Sequence, residues 1–64
     1  MSPKFYNNLL YYCSTIRDTS ESAETLAQEF LIKFSNLSKW NQVNISLIID
    51  NEGFEKAFEE IENL

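Results

Sequence analysis

The clearest pattern of apolar and polar positions lies in residues 20–37, SESAETLAQEFLIKFSNL. Its apolar residues recur at intervals of three and four, which places them on one face of a helix. Ser20 is predicted to cap the start of this helix, with Asp18 as a competing cap. The helix is expected to end near Asn36, and Ser38 is available to cap the element that follows. The apolar face consists of Ala23, Leu26, Ala27, Phe30, Phe34 and Leu37.

A second helical pattern precedes this segment. Residues 3–17 carry apolar side chains over about half of the helix circumference, and Ser2 is a suitable cap. Residues 9–16 also contain many residue types that favour strands, so a strand is the competing prediction there. We prefer the helix.

The last segment, residues 52–63, has a narrow apolar face and is predicted to be a helix capped by Asp50 or Asn51. Gly53, the only glycine, would then lie in its first turn. The backbone freedom of glycine lets the chain bend at that point.

Residues 39–50, KWNQVNISLIID, fit the period of a strand as well as that of a helix. Between residues 43 and 49, six of seven positions match the alternation of a half-buried strand. A lone strand leaves its backbone groups unpaired, however, and the flanking segments are predicted to be helical. We therefore prefer a helix, and an α+β fold with a short strand at 43–49 is the alternative.

As a helix, this segment is apolar on nearly all sides. Trp40, Val43 and Leu47 form one stripe, which we interpret as its core face, and Ile45 and Ile49 project from the far side. A helix of this kind must be covered on both sides. Ile45 and Ile49 are therefore predicted to lie in an interface.

Other apolar residues also exceed what one small core covers. Ile32 lies about 180° from the middle of the apolar face of its own helix, among polar residues. Tyr11 and Tyr12 lie on the wide face of the first helix, and a tyrosine is often half buried with its hydroxyl in water. A chain of 64 residues has too little internal surface to bury all these faces. We predict that Ile32, Tyr11 and Tyr12 contact another chain.

Composition limits the chemistry that is available. The chain has no histidine, one cysteine, Cys13, and one glycine. These counts exclude an internal disulfide, the common Cys/His metal sites, His-activated nucleophiles and glycine-rich phosphate loops. We expect no enzyme activity, no metal and no cofactor, and we interpret Cys13 as a small buried apolar residue.

Charge and hydropathy limit the partners. Net charge is −5 and the five basic residues are scattered, so no direct nucleic-acid binding is expected. No apolar run approaches the roughly 20 residues of a membrane span, and the first ten residues lack the pattern of a secretory signal, so we expect an intracellular protein. Segment charges alternate in sign, which favours antiparallel or head-to-tail pairing, and the acidic end suits a protein with a basic surface.

Together these patterns predict an all-α fold: one domain, residues 1–64, built as a bundle of three to four short helices that assembles into a dimer or tetramer. The expected function is non-catalytic protein–protein interaction through self-association, within a larger intracellular regulatory protein or as a complete chain. The alternative is a small acidic inhibitor or adaptor, such as a phage- or plasmid-encoded protein that binds a host protein.

Overall fold

A computed structural model describes residues 3–64 of the chain. These residues form four helices: α1 (Pro3–Ile16), α2 (Ser20–Ser35), α3 (Lys39–Glu52) and α4 (Phe54–Ile61). The prediction of an all-α fold with three to four short helices is confirmed. Residues 3–64 contain no strand, so the alternatives with a strand at 9–16 or 43–49 are wrong. Ser2, the predicted cap of the first helix, lies outside the described residues.

The chain divides into two compact units, Met1–Phe30 and Leu31–Leu64. The prediction of one domain over residues 1–64 stays a prediction. In the first unit, apolar side chains four residues apart on α1 and on α2 are buried, as the helical periodicity requires. The buried residues of this unit are Leu9, Cys13, Ala23, Ala27 and Phe30.

Side-chain caps set the start of two helices. The Thr19 hydroxyl accepts a hydrogen bond from the backbone N–H of Ser22 at 3.1 Å, so Thr19 caps α2. The prediction that Ser20 or Asp18 caps this helix is therefore wrong. Ser20 is already the first helical residue. The Ser38 hydroxyl accepts from the N–H of Asn41 at 3.2 Å, which confirms the predicted cap of α3.

In the second unit, α3 packs against α4, and the buried side chains on these two helices are Ile45, Ala57 and Ile61. The side chain of Gln42 also points into this unit. Its Nε2 donates hydrogen bonds to the backbone carbonyls of Phe34 at 3.1 Å and Leu37 at 3.4 Å. Carbonyls at the end of a helix have no partner inside the helix, so Gln42 satisfies two groups at and just beyond the end of α2.

Gly53 alone joins α3 to α4. Asp50 and Asn51 belong to the last turn of α3, so the prediction that they cap the final helix is wrong. The chain turns because Gly53 adopts φ 95° and ψ 173°, a region almost restricted to glycine. Its N–H donates to the carbonyls of Ile48 and Ile49, both at 3.1 Å, and closes the end of α3.

Replacing Gly53→Ala is expected to lower the free energy of unfolding by about 1–3 kcal/mol, the usual cost of a sparsely populated backbone conformation. An added Cβ would meet no atom within 4 Å, so the cost is one of backbone conformation and not of collision. Urea denaturation followed by circular dichroism measures the change. Asn51→Ala, at an exposed position two residues earlier, should stay within about 0.5 kcal/mol of the original. Equal stability of the two variants would contradict the backbone explanation.

Candidate interaction surface on α3

One face of α3 presents three large apolar side chains to solvent. Trp40, Val43 and Leu47 are 73%, 46% and 53% exposed, respectively. They are separated by three and four residues, so they form a continuous line along one side of the helix. We refer to these three residues as the α3 stripe.

The face opposite the α3 stripe is the one that the chain buries. Ile45 is 1% exposed, and Gln42 turns inward to bond the end of α2. The predicted orientation of this helix is therefore reversed: the stripe is not its core face, and Ile45 is not a surface residue available for a partner. Both sides are apolar, and the polar residue Gln42 lies on the buried side.

The remaining residues predicted to contact another chain differ in exposure. Ile32 is 59% exposed and stands among exposed polar residues on α2, and Tyr11 is also largely exposed on α1. Tyr12 and Ile49 are half buried. None of these residues belongs to the α3 stripe, and their role in a contact stays a prediction. The sequence analysis did not predict the α3 stripe as a surface, because it assigned Trp40, Val43 and Leu47 to the core.

The two edges of the α3 stripe differ in chemistry. At about 100° per residue, Lys39 and Asp50 lie along one edge, and Asn44 and Asn51 lie along the other with Trp40 nearest to them. Beside the uncharged edge is a shallow surface depression of about 350 Å³. Its lining consists of Asn44, Leu47, Ile48, Asn51 and Glu52. The stripe thus has a charged edge and an edge with a concave surface.

Several charged groups elsewhere in the second unit form ion pairs. Lys33 on α2 forms an ion pair with Glu62, beside a second depression of about 360 Å³. On α4, the Lys56 ammonium lies 3.4 Å from a Glu60 carboxylate oxygen and 3.9 Å from one of Glu59. The hydrogen bond to Glu60 raises the pKa of Lys56, and the charges of Glu60, Glu59 and Glu52 add to this effect. These contacts place cations near the acidic end of the chain.

Cys13 on α1 is a free thiol and is fully buried, as predicted. Burial raises the pKa of the Cys13 thiol, and the nearby charge of Arg17 only partly opposes this shift. The thiolate is the reactive form of cysteine, so both inaccessibility and the raised pKa keep this group unreactive. Within residues 3–64, no three Cys, Asp or Glu side chains are grouped so that they could hold a metal ion.

The helices formed by residues 3–64 are all too short and too polar to cross a bilayer. The chain matches no protein-family model, no curated protein and no solved structure. The interpretation of the α3 stripe therefore rests on its own geometry, exposure and charge.

Proposed function

We propose that this chain is a non-catalytic, intracellular protein–protein interaction module that self-associates through the α3 stripe. The observation that supports the proposal is the exposure of three adjacent apolar side chains on one helix face. Isolated exposed apolar residues are common on protein surfaces, whereas contiguous apolar patches mark binding sites.

The composition of the α3 stripe also suits an interface. Tryptophan is among the residues that contribute most to binding when a partner covers it. Trp40 is 73% exposed, and Val43 and Leu47 extend the apolar surface for two turns along the helix. Covering these side chains removes apolar area from water at a gain of about 25 cal/mol per Å². Ile32, by contrast, is one apolar residue in polar surroundings and offers much less area.

The intracellular, non-catalytic part of the proposal rests on residue types. The chain has no histidine, and its single thiol is buried and held protonated by the raised pKa. The commonest general base and the usual nucleophile pairs are therefore not available. An unpaired buried cysteine is typical of a reducing compartment, where structural disulfides are rare.

The experiment that tests self-association uses Trp40 as its own reporter, because it is the only tryptophan in the chain. Sedimentation equilibrium over a wide concentration range should give a mass that rises from monomer towards dimer or tetramer. In the same dilution series, tryptophan emission should move to longer wavelength as the assembly dissociates and Trp40 returns to water. A monomer at every concentration would overturn self-association and favour the small acidic inhibitor.

Two glutamate substitutions locate the contact. Leu47→Glu places a charge in the middle of the α3 stripe and should weaken association by roughly tenfold or more. Ile32→Glu is the matched control, because Ile32 and Leu47 are similarly exposed, at 59% and 53%. If Ile32→Glu alone dissociated the assembly, the contact would lie on α2 and the assignment to α3 would be wrong.

A further inference from the structure

The charges at the two ends of α3 oppose the helix dipole. The N-terminal end of a helix favours negative groups and the C-terminal end favours positive ones. α3 has Lys39 at its start, and Asp50 and Glu52 in its last turn. Among residues 3–64, neither Lys39 nor Asp50 takes part in an ion pair. Within this part of the chain, Lys39 and Asp50 therefore each lack a countercharge, whereas Glu52 lies near Lys56 of α4.

From this arrangement we propose that the partner of the α3 stripe is the α3 helix of a second copy, antiparallel to the first and related to it by a two-fold axis. The inference rests on the proposed self-association and adds the identity and direction of the partner helix. The axis passes near the level of residue 45, midway between Val43 and Leu47. Val43 of each copy then meets Leu47 of the other, so that the apolar side chains cover one another.

Antiparallel pairing supplies the missing countercharges. Lys39 and Asp50 lie at nearly equal distances from residue 45 and on the same edge of the stripe. A two-fold axis brings like edges together, so Lys39 of one copy faces Asp50 of the other at both ends of the pair. Parallel two-fold pairing would instead bring unlike edges together, so Lys39 and Asp50 would face the Asn44 and Asn51 edge of the other copy and neither would gain a countercharge. Charge complementarity thus favours a second copy in the antiparallel direction.

The opposite edge of the stripe is complementary in shape. Trp40 lies five residues before residue 45, where the two-fold axis passes. The depression lined by Leu47 and Asn51 lies about as far beyond residue 45 along the helix. The two-fold axis therefore sets the indole of one copy over the 350 Å³ depression of the other. Buried tryptophan N–H groups require a hydrogen-bond acceptor, and the side-chain oxygen of Asn51 in the other copy is one.

The size of this surface sets the expected affinity. The 14 residues of α3 give a helix about 21 Å long. One such helix face is smaller than the roughly 800 Å² per partner of a standard stable interface. The dimer is accordingly expected to form at micromolar and not at nanomolar concentrations. Added salt screens the attraction within the two charge pairs, so the affinity of the dimer should fall as salt is raised.

Disulfide trapping tests the direction of pairing. The background chain carries Cys13→Ala, with folding checked by circular dichroism, and receives either Val43→Cys or Leu47→Cys. The two proteins are mixed in equal amounts and oxidised in a glutathione buffer, and mass spectrometry separates the three possible dimers. Antiparallel pairing predicts that the mixed dimer forms well above the statistical half of all dimers. A preference for the two like dimers would overturn the antiparallel direction while leaving self-association intact.

Gln28→Cys in the same background, at an exposed position on α2, measures random cross-linking. If the α3 cysteines formed no more dimer than this control while the unmodified protein sedimented as a dimer, the contact would lie elsewhere. The inference would then be wrong although self-association held. If the unmodified protein sedimented as a monomer, the proposed function itself would fail.

Exchanging charges tests the predicted ion pairs independently. Lys39→Glu alone and Asp50→Lys alone each create two repulsive contacts in an antiparallel dimer, so each should dissociate several-fold more readily than the original. Mixed together, the two variants form a dimer with two attractive pairs, and association should return to near its original strength. Absence of this mutual rescue at low salt would overturn the pairing of Lys39 with Asp50.

Discussion

Phe30→Ala is expected to lower the free energy of unfolding by about 3–5 kcal/mol, the usual loss when a buried phenylalanine is truncated. Phe30 is only 2% exposed in the structure. A domain of this length has a total stability of about 3–10 kcal/mol. The variant should therefore lose a large fraction of its stability, and urea denaturation followed by circular dichroism should show a midpoint well below that of the original chain.

Ile32→Ala is the control for Phe30→Ala, since it removes a large apolar side chain from the same helix at an exposed position. It should change the free energy of unfolding by no more than about 0.5 kcal/mol. Urea denaturation at concentrations low enough to keep the chain monomeric measures both variants. Comparable losses at the two positions would contradict the burial pattern of α2.

Ile45→Ala should cost about 2–5 kcal/mol, because it removes three carbons from a site that is already closed to solvent. Ile45 is the one residue of α3 that the chain buries fully. The neighbouring Gln42 holds the same face inward through its bonds to the carbonyls of Phe34 and Leu37. A cavity opened under Ile45 cannot be closed by rotating α3 without breaking those bonds.

Val43→Ala, two residues away on the exposed side, is the matched control for Ile45→Ala. It should leave the stability of the monomer nearly unchanged and should instead weaken association through the α3 stripe. If Val43→Ala destabilised the monomer more than Ile45→Ala did, α3 would face the other way and the proposed surface would be its core. The two variants together thus distinguish a folding role from a binding role on opposite sides of one helix.

Much of the first unit followed from local pattern alone. The spacing of Ala23, Ala27 and Phe30 indicates one buried face of a helix, and the structure buries all three. Cys13 was likewise interpreted as a buried apolar residue and is fully enclosed. Apart from Leu31 and Ile32, the residues of α2 outside its apolar face are polar, so periodicity selects a single inward direction.

The boundaries of helices depended on finer detail. Thr19, Ser20 and Asp18 are all residue types that cap helices, and only the observed bond from Ser22 to Thr19 identifies the cap of α2. At the other end of the chain, Asp50 and Asn51 are residue types that cap helices, but both belong to α3. The helix continues past them to Glu52 because the chain turns at Gly53, whose backbone conformation permits the turn. Sequence types indicate where a helix can begin, and backbone geometry selects among neighbours.

Sequence by itself favoured an all-α fold over one with a strand at 43–49, located the helices to within a few positions, and identified the buried face of α2. Only the tertiary structure decided which face of α3 is exposed. Local periodicity carries no preference when a helix is apolar on two sides, as α3 is with Ile45 opposite Leu47. The choice was made by contacts distant in sequence, in which α3 packs against α4 and Gln42 bonds the end of α2, and it leaves Trp40, Val43 and Leu47 facing solvent.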